Sequence, residues 1–158
     1  MDSYTSQTRE KIVNKSITID APASKVWNTL THPDLMKKWM SPEEITIITD
    51  WKVGNSFIIQ GNVHGIDFEN RGTVLQFEPE KILQYNHLSS LSELTDEAIN
   101  YVVIDFRLTS MKNETTLTLT LSNFPTESIY KHLVFYWNVT LEIIKKMIEN
   151  QPSSLPLE

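Results

Sequence analysis

Residues 126–149 read TESIYKHLVFYWNVTLEIIKKMIE, and the fold turns on them. Ile129, Leu133, Tyr136 with Trp137, Thr140, Ile144 and Met147 with Ile148 recur every three or four positions. That spacing stacks side chains on one face of an α-helix. Thr126 offers an N-cap oxygen and Glu127 a negative charge in the first turn, where unpaired amides and the helix dipole favour both. The segment therefore reads as one long helix with a single apolar stripe.

Upstream of it the period changes from 3.6 to 2. Val102, Ile104, Phe106 and Leu108 alternate with Val103, Asp105, Arg107 and Thr109, and Leu117, Leu119 and Leu121 alternate with threonines. Each run reads as a strand with one apolar face and one wet face; Lys112-Asn113-Glu114 forms a short hairpin connection between them. Residues 45–49, 57–59, 72–77 and 82–88 are also strand-like, separated by Gly, Asn, Asp and Pro. Nearer the start, 15–20 (KSITID) alternates as a strand. Ala21-Pro22 then opens a helix striped by Ala23, Val26, Trp27 and Leu30, since proline is tolerated in a first turn. His32-Pro33-Asp34 starts a second short helix whose apolar side is Leu35, Met36, Trp39 and Met40. The order is β, α, α, five or six β, then one long α. A large sheet whose only long helix comes last buries its apolar face by laying that helix across it, which predicts an α+β fold.

The 158 residues suit one domain, expected over 11–150 with flexible tails at 1–10 and 151–158. Fourteen Lys and Arg against twenty Asp and Glu give a net charge of −6, which argues against nucleic-acid binding. Without cysteine there are no disulfides, thiolate nucleophiles or Cys-held metals. The polar first ten residues do not read as a secretory signal, and no run approaches the ~20 apolar residues of a membrane span. A cytoplasmic protein without membrane insertion is expected.

With the elements in place, residues 17–42 (ITIDAPASKVWNTLTHPDLMKKWMSP) resemble the opening of the SRPBCC, or START-like, superfamily. They resemble most its branch named for the activator of the ninety-kilodalton heat-shock chaperone ATPase. The matching residues are Ala21-Pro22, Val26-Trp27, Pro33-Asp34 and Trp39, followed by Val53-Gly54, Gly65, Gly72-Thr73-Val74, Glu78-Pro79, Leu83, Tyr85, and Trp137, Leu141 and Ile144 of the last helix. Together they span residues 12–148. Gly54-Asn55 and Tyr136-Trp137 stand where the family often has Gly-Gly and Gly-Trp; the bulk of Tyr136 bears on the space beneath the helix. The resemblance implies a helix-grip fold: a curved antiparallel sheet wrapped around the long C-terminal helix, with two short helices bracing one end. It also implies a cavity for hydrophobic small molecules, lipids or polyketides.

Strand parity places Phe57, Ile59, Leu83, Tyr85, His87, Val102, Ile104 and Phe106 toward the helix, opposite Leu133, Trp137, Thr140 and Ile144. As ligand-binding residues this selects Phe57, Ile59, Tyr85, His87, Val102, Ile104, Phe106, Leu133, Trp137 and Thr140. Tyr85 and His87 are a polar pair among apolar neighbours, suited to orienting a carbonyl or hydroxyl; a rim tyrosine and a solvated histidine at a strand end would look the same. His64, Asp67 and Glu69 near Gly65 read as a solvated hairpin, because no second histidine has ligand spacing. His132 is expected on the outer helix face. The connection 89–97 (SSLSELTDE) reads either as a gate at the cavity mouth or as a plain surface loop.

No catalytic, metal or cofactor motif is present: no G-x-S-x-G, phosphate loop or HExxH. The favoured function is binding of a small hydrophobic ligand such as a lipid, polyketide or flavonoid-like molecule. The family resemblance carries two alternatives. One is a cyclase or dehydratase with Tyr85 or His87 as acid or base; the other is a co-chaperone that stimulates a heat-shock chaperone ATPase, with a role in stress response.

Overall fold

A computed structural model describes residues 8–150. The tail at 151–158 and residues 1–7 of the other expected tail lie outside the described residues. Strand β1 (Val13–Ile19) leads into helices α1 (Ala23–Thr31) and α2 (Pro33–Met40). Six further strands follow: β2 (Ile45–Thr49), β3 (Ser56–Val63), β4 (Ile66–Glu78), β5 (Ile82–Ser89), β6 (Val102–Met111) and β7 (Glu114–Ser122). Helix α3 (Glu127–Glu149) closes the fold. The strands form one antiparallel sheet in the order β1-β7-β6-β5-β4-β3-β2, with the long helix gripped by its concave side. This is the α+β helix-grip arrangement.

Local chemistry explains the element ends. Pro22 holds extended backbone before α1 and its carbonyl accepts from Lys25 N and Val26 N. The His32 side chain accepts from Asp34 N at 3.3 Å, with Pro33 at the first position of α2, where no amide is missed. The last carbonyls of a helix lack partners within it. Here two indoles supply them: Trp39 Nε1 donates to Thr29 O at 2.8 Å and Trp51 Nε1 to Thr31 O at 2.7 Å. Thr126 Oγ1 accepts from Ile129 N at 3.1 Å, capping α3.

Leu117, Leu119 and Leu121 of β7 are fully buried in the same core as Ile144 and Ile148 from the C-terminal half of α3. Burying a side chain of this size contributes about 1.5–3 kcal/mol, so this half of the sandwich is a solid core. Among the described residues no helix is long and apolar enough to cross a membrane.

Strands β3 and β4 extend well beyond the expected 57–59 and 72–77. A two-residue turn at His64 and Gly65, both at positive φ, joins them. On the outer face Asn62 Nδ2 donates to Asp67 at 2.8 Å and Gln60 Nε2 to Glu69 at 3.1 Å. Polar cross-strand pairs of this kind carry the ladder through the stretch that reads as a solvated hairpin in sequence. Thr8 and Arg9, within the segment 1–10, contact the domain: Thr8 Oγ1 donates to Glu127 Oε1 at 2.9 Å, and Arg9 reaches the carbonyl of Ile99.

Near its middle, β4 bends. Its register with β5 shifts between Val74 and Gln76, a bulge that bends the strand. Just before it, Gly72 lies so close to β5 that a Cβ there would sit 1.8 Å from Asn86 O. Asn86 Oδ1 accepts from Thr73 N at 2.7 Å, standing in for a backbone partner at this crossing. Gly72→Ala is therefore expected to lower stability by at least about 1–3 kcal/mol. The urea midpoint measures this, and a value equal to that of the parent would contradict the contact.

Candidate functional site

The two halves of α3 do different work. Its C-terminal half packs Leu141, Ile144 and Ile148 into the core. Its N-terminal half stands off the sheet where β3, β4 and β5 curl away, leaving a cavity of about 790 Å³. That volume lies within the ~300–1,000 Å³ usual for small-molecule sites.

Eight of the ten residues selected from sequence border this space: Phe57 and Ile59 from β3, Tyr85 and His87 from β5, Val102 and Ile104 from β6, Leu133 and Trp137 from α3. Phe106 and Thr140 do not. Phe106 meets Trp137 edge-on, ring centroids 5.5 Å apart, at the floor. Thr140 is buried one turn further along α3, beside the Tyr136 phenol. Parity assigns both to the correct face, but only the sheet's curvature decides where the void ends.

Trp137 anchors the floor. Besides Phe106 it touches Trp39 (centroids 6.0 Å apart) and Tyr136 (5.1 Å). Tyr136, the bulky departure from the family pattern, borders the cavity, and its hydroxyl donates to Met40 O at 2.7 Å. It thereby ties the end of α2 to α3 and fixes that side of the mouth, which Met40, Ser41 and Pro42 complete. The opposite side is formed by Ser89, Leu91, Ser92 and Asn100. The 89–97 connection is thus at the opening and is ordered by short 3₁₀ turns at Ser90–Ser92 and Ala98–Asn100.

The cavity wall is apolar apart from a few groups. Tyr85 is 3% exposed, its ring packed edge-on to Phe57 at 4.5 Å, and its hydroxyl has no hydrogen-bond partner among the described residues. Burial raises its pKa, with the neighbouring Tyr136 adding to the effect. His87, two residues along on the same face, has its pKa lowered to about 4, chiefly by burial and secondly by His132. His87 borders the cavity. Burial pushes Tyr136 up to about 12. Asn70 Oδ1 and Trp137 Nε1, on residues that border the cavity, are buried without a hydrogen-bond partner among the described residues.

Sequence reasoning missed Asn70, Phe68 and His132 as cavity residues, whereas the bulk of Tyr136 was already tied to this space. Phe68 and Asn70 alternate with Asp67 and Glu69, a signal that was present but masked by the polarity of the hairpin. His132 is exposed yet stands at the mouth, its ring stacked 6.4 Å from Tyr136, rather than on the far face of the helix. In the hairpin, Asp67 pairs with Asn62 and Glu69 with Gln60 and Arg71, so these carboxylates are engaged away from the cavity interior.

The family described as Activator of Hsp90 ATPase homolog 1-like protein matches residues 20–149. The solution structure of ChR145 from Cytophaga hutchinsonii is 38% identical, with 89% of this chain and 95% of that chain covered at a TM-score of 0.77. The Aha1 dimer from Colwellia psychrerythraea is 24% identical (89% and 97% covered, TM-score 0.68). CalU16 from Micromonospora echinospora is 22% identical (90% and 76% covered, TM-score 0.67). These last two are alike in fold. No curated protein matches significantly.

Because the folded state lowers the His87 pKa, the unfolded chain takes up this proton more readily. The stability linked to His87 is complete above the ordinary value of 6.5 and is lost as pH falls from there toward about 4. The loss is expected to reach about 3 kcal/mol. Urea midpoints at pH 7 and pH 4.5 check this: His87→Gln should flatten the pH dependence relative to the parent, and parallel curves would refute it.

Proposed function

Because the chain belongs to the Activator of Hsp90 ATPase homolog 1-like protein family, we propose that it binds a small hydrophobic molecule between the sheet and the N-terminal half of α3. The observation that carries this reading is the cavity of about 790 Å³ beside a fully packed core. An apolar void that large forfeits dispersion contacts along its whole lining, and a guest restores them. The ligand would rest on Phe57, Ile59, Val102, Ile104 and Leu133, with the Tyr85 hydroxyl and the His87 ring meeting its polar end. We place the protein in the cytoplasm as part of the same reading.

Turnover of that ligand by Tyr85 and His87 is the weaker alternative. A general acid or base works best with a pKa near the working pH. Here burial moves the two groups in opposite directions, both away from neutrality. Neither has a carboxylate partner to orient it. Contact with a heat-shock chaperone ATPase, the function in the family's name, would leave the cavity without a role, which is why ligand binding is preferred.

Thermal-shift and native mass measurements with long-chain alcohols, flavonoids and aromatic polyketides test the proposal. A ligand at a hundred times its Kd should add about 2.7 kcal/mol of stability. Ile59→Trp, which projects bulk into the void rather than into packed core, should abolish the shift while leaving the protein folded. No bound species across the panel, or full binding by Ile59→Trp, would overturn it.

A further inference from the structure

The cavity presents hydrogen-bonding groups but no available charge. Of the described residues bordering it, only Arg71 carries a permanent charge. Its side chain is 53% exposed at the rim and is already engaged, with Nε donating to Glu69 at 3.1 Å and Nη1 3.5 Å from Asp96. The remaining titratable groups on the walls are Tyr85 and His87 on β5 and His132 and Tyr136 on α3. Among the described residues, Lys, Asp and Glu are absent from the lining. The Tyr136 hydroxyl is spent on Met40 O.

Resting on the ligand-binding reading above, we infer that the occupant is uncharged: an apolar molecule bearing a hydroxyl or carbonyl held by Tyr85 and His87, with free carboxylates and amines excluded. A carboxylate placed beside these residues would meet no cation except the paired Arg71 at the rim, and an ammonium would meet no carboxylate. Burying an ion without a partner is so unfavourable that the group neutralises or stays out. A hydroxyl or carbonyl meets no such barrier. A phenol both donates and accepts, and a neutral imidazole offers one donor and one acceptor, so the pair satisfies either group without transferring charge. Burial keeps His87 uncharged near neutral pH, in agreement with this arrangement. The net charge of −6 further disfavours approach of anions.

The experiment uses three probes that share one hydrocarbon chain: 1-decanol, decanoate and decylammonium, each titrated into the full chain at pH 7 by calorimetry. Decanol should bind at least tenfold more tightly than either ion. In the double variant Tyr85→Phe with His87→Leu, decanol should lose most of its advantage over the two ions. Decanoate or decylammonium binding as tightly as decanol would overturn the inference and leave the ligand-binding reading standing. Failure of all three to bind would overturn both. The comparison within the parent protein decides the matter even where the double variant does not fold.

Discussion

The contact on which the rest of the molecule depends is the seat of Trp137. Its indole is wedged between Phe106 of β6, Trp39 of α2 and Tyr136 of its own helix. Each aromatic pair of this kind adds about 0.5–1.5 kcal/mol beyond simple burial. More important is its position. C-terminal to Trp137 the helix buries Leu141, Ile144 and Ile148 in the core; N-terminal to it, Ile129, His132 and Leu133 border the cavity.

The sheet supplies the other half of that geometry. An antiparallel sheet of seven strands covered by one helix over its full width would be densely packed. Here β4 bends at the bulge after Val74, and Gly72 lets it pass close to Asn86. The strands beyond, β3 and β2, turn away from the helix. The β3–β4 hairpin carries polar pairs on its outer face, while Ile45 and Phe57 are buried on the inner face of β2 and β3. The cavity lies on that inner side, bordered by Ile45, Phe57 and Ile59.

Its rim is built from segments distant in sequence. Tyr136 binds Met40 across the mouth. On the far side Arg71 reaches Asp96, which accepts from the Tyr101 hydroxyl at 2.5 Å, so the 89–101 connection is tied down on the outside of β4. Thr8 and Arg9 brace the same end through Glu127 and Ile99. These contacts are mostly exposed, and pairs of this type contribute little individually. Their effect is to position the opening rather than to stabilise the fold.

Much of this was legible in the amino-acid order. Alternation in β6 and β7, three-four spacing in α3, and the proline-started helices α1 and α2 each reflect a local rule, because the period of burial is set by backbone geometry within one element. The same alternation put Tyr85 and His87 on the inner face with Phe57, Ile59, Val102 and Ile104. What lay beyond its reach is depth. Phe106 and Val102 share a face of one strand, yet one ends in packed core and the other at a void. Thr140 and Leu133 share a face of one helix and part in the same way. Asn70 and Tyr136 became cavity walls only once β4 curled and α3 was tied to Met40. Periodicity determines which way a side chain points; what it meets there depends on the curvature of the sheet and the tilt of the helix, which arise from contacts between residues far apart in the chain.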